Sequence, residues 1–521
     1  MLLLFLISLV PLVVAKNELY MGYKVYNVKL TSQQQQENLY LLKADVLDYW
    51  IKPNFKYGVT GLAMVPPSHF SWFEERLDEL QVDKAIAIED VYTYLSAKES
   101  SVTKKVPSTA YNNEYPNETN GSDGEGDEND RIEENNVTGG DEDDGNETGE
   151  TNVTDEDEND GNETEEANVT DEDENSGNET KVTDEDGDGG DESEETNVTD
   201  EDDRTEEVDV TEESEEYDIT FGFDDYYRYN TILNYIYKIR NAYEDSQTTA
   251  IEVVEFGSTD LNRPLVYLKL TRIGGEENKP IIVIEGGINP REWITIPSAL
   301  KIVEEVLESN QARYLDNFDW IVVPVVNPDG YEYTHTDLRL WEKNLSTKSN
   351  WGFICPGVNI NRNFNIDWSR ADSSSSACSH LYAGAEANSE IETQFIQSIV
   401  DTYKDRISMY ISLQNGGGYI SYPWQYEFAA SGTFRQNHLL GMEMVAAMQD
   451  EYHLDVASVA YGDRASGTSS DYARSNNVLY AFNIDIVRRG TDGVILPENE
   501  IVGITEDVWR AVAVAADNLI N

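Results

Sequence analysis

Basic residues are scarce in this chain: 37 Lys or Arg stand against 101 Asp or Glu in 521 residues, a formal net charge of −64. No stretch rich in Lys or Arg offers a footprint for a phosphate backbone, so nucleic acid is excluded as a partner. Long apolar runs are missing after the first 15 residues, and none approaches the roughly 20 residues that a membrane-spanning helix requires. Cysteine is nearly absent. Only Cys355 and Cys378 occur, 23 positions apart, and in a secreted chain they read as one disulfide, the alternative being two isolated buried thiols. Histidine is sparse too, with His69, His335, His380, His438 and His453.

What is present is unevenly placed. Residues 1–15 form an apolar run ending in Val13-Val14-Ala15, the small-residue pattern of a signal-peptidase site, although no Lys or Arg opens it. Secretion is expected, an uncleaved anchor being the rival. Residues 121–218 carry 46 Asp or Glu against three basic residues (Arg131, Lys181, Arg204), which is most of the excess negative charge. Such a segment cannot bury enough apolar surface to offset its ordering entropy, so 101–218 is expected to be a disordered acidic linker. It contains a 16-residue repeat starting at Asn136, Asn152 and Asn168, and each copy holds two N-x-T sequons. With the flanking sites the glycosylation acceptors are Asn117, Asn120, Asn136, Asn146, Asn152, Asn162, Asn168, Asn178 and Asn197. Asp184, Asp186, Asp188, Gly189 and Glu195 satisfy the EF-hand loop pattern, but their flanks cannot form the two packed helices the site needs. Diffuse binding of extracellular cations along the polyanion is the expectation there.

On either side of the linker the texture is globular. Residues 16–100 read as strand, helix, strand, helix, strand, with strands over 23–28, 61–65 and 86–92 and a helix opened by the cap-type Ser32. Residues 219–521 alternate helical stretches (227–243, 297–309, 388–403, 434–452, 506–519) with short apolar runs at 265–268, 281–284, 320–324 and 409–413. That alternation predicts an α/β fold with helices covering a sheet.

Several motifs then occur in a telling order: Gly286-Gly287-Ile288-Asn289-Pro290-Arg291-Glu292-Trp293, Asn327-Pro328-Asp329-Gly330-Tyr331, Arg339-Leu340-Trp341, Asn361-Arg362-Asn363-Phe364 and Ala465-Ser466-Gly467. Together they resemble the zinc metallocarboxypeptidases of the A/B branch, whose metal loop reads G-I-H-x-R-E-W-I. Gly22-Tyr23-Lys24-Val25-Tyr26 and Val65-Pro66-Pro67 are similar to the activation domain that covers the cleft in procarboxypeptidases. The resemblance implies a mixed sheet flanked by helices, preceded by a small α/β activation-type domain, and it implies a disulfide at the places of Cys355 and Cys378.

The same resemblance implies that the chemistry is damaged. Such a site needs three zinc ligands and an open position for a water that the metal acidifies. Glu292 matches one ligand, whereas Asn289 and Gln414 stand where the family has histidines. Asp485 stands in place of the general-base glutamate, one methylene shorter. Glu342 occupies the place of the oxyanion-stabilising arginine, and Asp463 that of the tyrosine that closes over substrate. Asn361 and Arg362 match the pair that holds a substrate's terminal carboxylate, unless Arg362 serves a structural ion pair with Glu342 or Asp463 nearby. Ser470 falls at the specificity-pocket position. All five histidines read as structural or surface residues. The expectation is a secreted carboxypeptidase-like pseudoenzyme without a bound cofactor, zinc being the family's, and with peptide or protein C-termini as candidate partners. A working enzyme with improvised ligands and a matrix role for the acidic glycoprotein segment are the rival readings.

Overall fold

The computed structural model describes residues 15–42, 44–103, 221–349, 351–487 and 493–520. The run 1–14, the nine sequon asparagines named above, the EF-hand-like match and residues 488–492 lie outside the described residues.

The N-terminal segment forms a four-stranded antiparallel sheet from β1 (Lys24–Lys29), β2 (Asp48–Ile51), β3 (Gly61–Val65) and β4 (Asp83–Ile88), in the order β2-β3-β1-β4. Helices Gln33–Tyr40 and Phe70–Glu79 lie on one face, where Tyr26, Val28, Leu39, Phe73 and Leu77 form a core. Ser32 caps the first helix by accepting from Gln35 N at 3.2 Å, as its sequence predicts. Two differences from expectation appear. The four-residue strand Asp48-Tyr49-Trp50-Ile51 was not anticipated, because it is too short to show alternation. The last strand is Asp83–Ile88, and residues 91 onward instead start a helix, Val91–Thr103, that runs past the expected boundary at residue 100.

The second sheet has eight strands: β5 (Thr249–Ser258), β6 (Pro264–Arg272), β7 (Ile281–Glu285), β8 (Asp319–Val323), β9 (Ile407–Asn415), β10 (Tyr419–Tyr422), β11 (His453–Val456) and β12 (Tyr480–Ile486). Their order is β11-β10-β12-β9-β7-β8-β6-β5, a mixed sheet in which β12, β9, β7 and β8 run parallel. Every residue of β7 and β8 is buried, as expected for strands covered on both faces. The two-residue period sends Ile282, Ile284, Trp320, Val322 and Ile411 toward helices Thr295–Leu307 and Ile501–Ile520, and Ile281, Val283, Ile321 and Val323 toward helix Ile391–Tyr403. Burying each such side chain contributes about 2 kcal/mol. Cys355 and Cys378 form a disulfide.

Both sheets belong to one compact unit. The uncovered face of the small sheet packs Val25, Trp50 and Met64 with Val91 and Leu95, and this cluster continues into Leu340 and Val494 of the larger part. The parallel strands end on one edge, so the loop after β7, the end of β9 and Asp485 of β12 meet where open α/β sheets place their ligands.

Candidate active site

The loop after β7 begins at Gly287, whose φ is 63° and whose added Cβ would lie 3.1 Å from Val325 Cα. Only glycine suits that backbone and that approach. The turn brings Asn289, Arg291 and Glu292 to the wall of a cavity of about 170 Å³, which Gln414, Asn415 and Asp485 also line. Asn289 Nδ2 donates to Glu292 Oε1 at 2.8 Å, and Asn415 N donates to Glu292 Oε2 at 2.8 Å. Gln414 donates its Nε2 to Ser412 Oγ at 2.7 Å and pairs in register with Asp485 across β9 and β12. The amide oxygens of Asn289 and Asn415 are buried without a protein partner. Burial raises the Glu292 carboxyl well above the usual range and the nearby Asp485 adds to this, with Arg291 and the Asn415 N–H opposing. Asp485 is pushed up to about 7 by burial. Two buried acids thus share one pocket, and neither forms an ion pair among the described residues.

Arg291, 4% exposed, is the charge centre of the neighbouring wall. Its Nη1 donates to both oxygens of Asp48 at 2.8 Å, its Nη2 donates to Tyr49 O at 3.3 Å, and it is salt-bridged to Glu342. Asp48 and Tyr49 come from β2 of the small sheet. The ion-pair partner of Glu342 is therefore Arg291 and not Arg362, correcting the pairing the sequence suggested.

Arg362 sits in the short turn Ile360–Arg362 and is held by Asp372: Nη2 donates to Asp372 Oδ2 at 2.7 Å and Nε to Asp372 O at 2.7 Å. Lys52, again from the small sheet's side, donates to the same Oδ2 at 3.0 Å and lies 3.8 Å from Asp463. Burial works against the ionised Asp372, yet Lys52 and Arg362 outweigh it and hold its carboxyl below the usual range. The partner of Asp463 is Lys52, so the second suggested partner of Arg362 is also corrected. Asn361 uses its Oδ1 to accept from Ser469 N at 3.0 Å.

A model of the family described as zinc carboxypeptidase, peptidase M14, matches residues 232–511. The chain belongs to the zinc carboxypeptidase family. It is 35% identical over 309 residues to a carboxypeptidase B of Helicoverpa zea, a match covering 56% of this chain and 70% of that one. It is 34% identical over 292 residues to a carboxypeptidase B of Astacus astacus, covering 53% of this chain and 94% of the relative. The crystal structure of a carboxypeptidase A from Helicoverpa armigera superposes with a TM-score of 0.68 at 22% identity, over 96% of this chain and 97% of that one, and so shares its fold.

Within this zinc carboxypeptidase fold the structure gathers Asn289, Glu292, Gln414, Glu342, Asn361, Arg362, Asp463 and Asp485 around one cavity. Ser470 is fully buried and its hydroxyl lacks a partner, but it does not line that cavity. Among the histidines, His380 does line it, which sequence reasoning missed. His335 is structural: its ring stacks on Trp293 at 4.0 Å and burial lowers its pKa to about 2. The Arg339 guanidinium lies 3.7 Å from the same indole. Asp372, Lys52 and Asp48 were also missed. Asp372 lies in a serine-rich loop without periodicity, and the other two are more than 200 positions from the arginines they neutralise or approach.

Proposed function

We propose that this chain is a secreted, glycosylated zinc-carboxypeptidase-like protein that does not hydrolyse peptides. The observation carrying this reading is the state of Glu292: both its oxygens already accept hydrogen bonds, from Asn289 Nδ2 and Asn415 N, at 2.8 Å each. A side-chain amide and a backbone N–H stand where a metal would draw on that carboxylate. The donor set does not fit zinc, which takes imidazole, thiolate and carboxylate. One carboxylate with the neutral amide oxygens of Asn289, Gln414 and Asn415 suits water or a hard cation instead. Glu342, held to Arg291, places negative charge where the family's chemistry needs positive charge. Arg362 is engaged by Asp372, which weakens it as a trap for a terminal carboxylate.

The test measures zinc and turnover on one preparation. Zinc well below one per chain after dialysis is expected, together with no release of C-terminal residues from peptides with aliphatic, aromatic or basic ends. Chelator-sensitive turnover would refute the reading. Asn289→His with Gln414→His should recover zinc binding without recovering turnover, since Glu342 and Asp485 remain and such groups act as a unit.

A further inference from the structure

We propose that the pocket of Glu292 and Asp485 binds a calcium ion, held by carboxylate and amide oxygens at the place where the family binds zinc. This inference rests on the proposed function, because the replacements that remove zinc's nitrogen donors are what supply the oxygens.

Convergence is the first support. Asp485 and Asn415 lie near the ends of the paired strands β12 and β9, where Asp485 faces Gln414 and Ile486 faces Asn415. The loop after β7 brings Asn289 and Glu292 to the same cavity. Asn415 N ties that loop to β9 by donating to Glu292 Oε2 at 2.8 Å. Glu292, Asn415 and Asp485 are 7%, 5% and 5% exposed, so the oxygens they supply are largely withdrawn from solvent.

Orientation is the second. Each amide spends its N–H end on the protein: Asn289 Nδ2 on Glu292 Oε1 at 2.8 Å, Asn415 Nδ2 on Ile486 O at 2.7 Å and Gln414 Nε2 on Ser412 Oγ at 2.7 Å. Oxygens are what remain. Asn289 Oδ1 and Asn415 Oδ1 are buried with no partner among the described residues. Each carboxylate oxygen of Glu292 has accepted one hydrogen bond and keeps a second lone pair. A Cβ on Gly417 would fall 2.7 Å from Asp485 Oδ2, so glycine leaves that oxygen clear.

Charge is the third. Acceptors without donors call for a cation, and the neighbouring Arg291 is already taken by both oxygens of Asp48, by Tyr49 O and by Glu342. Two carboxylates with neutral amide oxygens match calcium, which takes about six to eight oxygens in flexible geometry, whereas magnesium demands a near-ideal octahedron and keeps several of its waters. Zinc prefers imidazole and thiolate. Water completes the shell around these side chains, which places the affinity with the weak calcium modules, at about 10⁻⁴ to 10⁻³ M.

The experiment follows melting of the full chain against calcium, magnesium and zinc, each at fixed ionic strength and pH, with equilibrium dialysis counting the ions bound. Calcium is expected to raise the melting temperature once its concentration passes about 10⁻⁴ to 10⁻³ M, and logarithmically beyond. Magnesium at the same concentration should raise it less. Asp485→Asn, which keeps the shape and removes one anion, should move the onset to about tenfold higher calcium or more and bind about one calcium ion fewer than the wild type. The acidic segment is common to both chains, so its diffuse binding cancels in that difference. Glu252→Gln, which removes an exposed acid on β5, should leave the response unchanged. Melting without metal identifies a variant that fails to fold, and Asn289→His with Gln414→His gives a second reading by exchanging the calcium response for a zinc response. A calcium response that is absent from the wild type, matched by magnesium or retained in full by Asp485→Asn overturns the inference. Zinc separates the two readings. One zinc retained per wild-type chain sinks the proposed function and this inference with it, whereas no response to either metal sinks this inference alone.

Discussion

The two walls of the cleft are built on opposite electrostatic plans. On the side of Glu292 and Asp485 there are two buried carboxyls and a set of neutral amides, and burial favours the protonated form of both acids, pushing Asp485 up to about 7. On the side of Arg362 every charge has a partner, with Asp372 between Arg362 and Lys52, and its carboxyl is driven the other way, toward ionisation. Burial acts on both walls. The difference is whether the carboxyl is held in an ion pair, so one wall should answer to pH and the other to the removal of a partner.

The largest expected effect tests the paired wall. Asp372→Ala leaves Arg362 and Lys52 facing each other without an anion, and breaking a buried pair by removing one partner costs about 3 to 5 kcal/mol. Urea unfolding of the full chain measures it, and a cost under about 1 kcal/mol would mean that solvent already screens this wall. Next comes the protonated wall. Asp485 keeps its proton up to about pH 7 in the folded chain but loses it near pH 4 when unfolded. Between those values the folded state binds more protons, so stability falls as pH rises, by at most about 1.4 kcal/mol per unit from this group. The slope of stability against pH over that window should flatten in Asp485→Asn. An unchanged slope would remove Asp485 from the account. The smallest effect belongs to the amides. Gln414→Leu removes one neutral hydrogen bond, to Ser412, and should change stability by about 1 kcal/mol or less. A larger loss would show that the amide holds the wall together rather than filling space within it.

The scaffold was legible because its signals are local. The buried runs of β7 and β8 and the amphipathic helices announce themselves within a few residues. So do the replaced site residues, because Asn289, Gln414, Glu342 and Asp485 sit inside motifs whose neighbours are intact. Partnership was not legible. Which acid meets Arg362 depends on a loop fold ten residues away, and which base meets Asp372 depends on Lys52, separated from it by 320 positions. Glu342 was visible as a reversed charge, but its neutralisation by Arg291 appears only once the loop after β7 is folded. The small domain shows the same limit: β2, four residues long, carries Asp48 and Trp50 into the cleft, yet no periodicity marks it.

The stacking of His335 on Trp293, with the Arg339 guanidinium against the same indole, gives the molecule an optical gauge. Trp293 is the residue after Glu292, and its Nε1 donates to Thr334 Oγ1 at 2.8 Å, so the indole is held by a hydrogen bond as well as by stacking. Arg339 in turn donates to Arg291 O, and its backbone N–H donates to Asn17 Oδ1 of the N-terminal segment. One guanidinium thus connects that segment to one indole, and the difference spectrum between the wild type and Trp293→Phe is expected to change when the segment is displaced, without any added label.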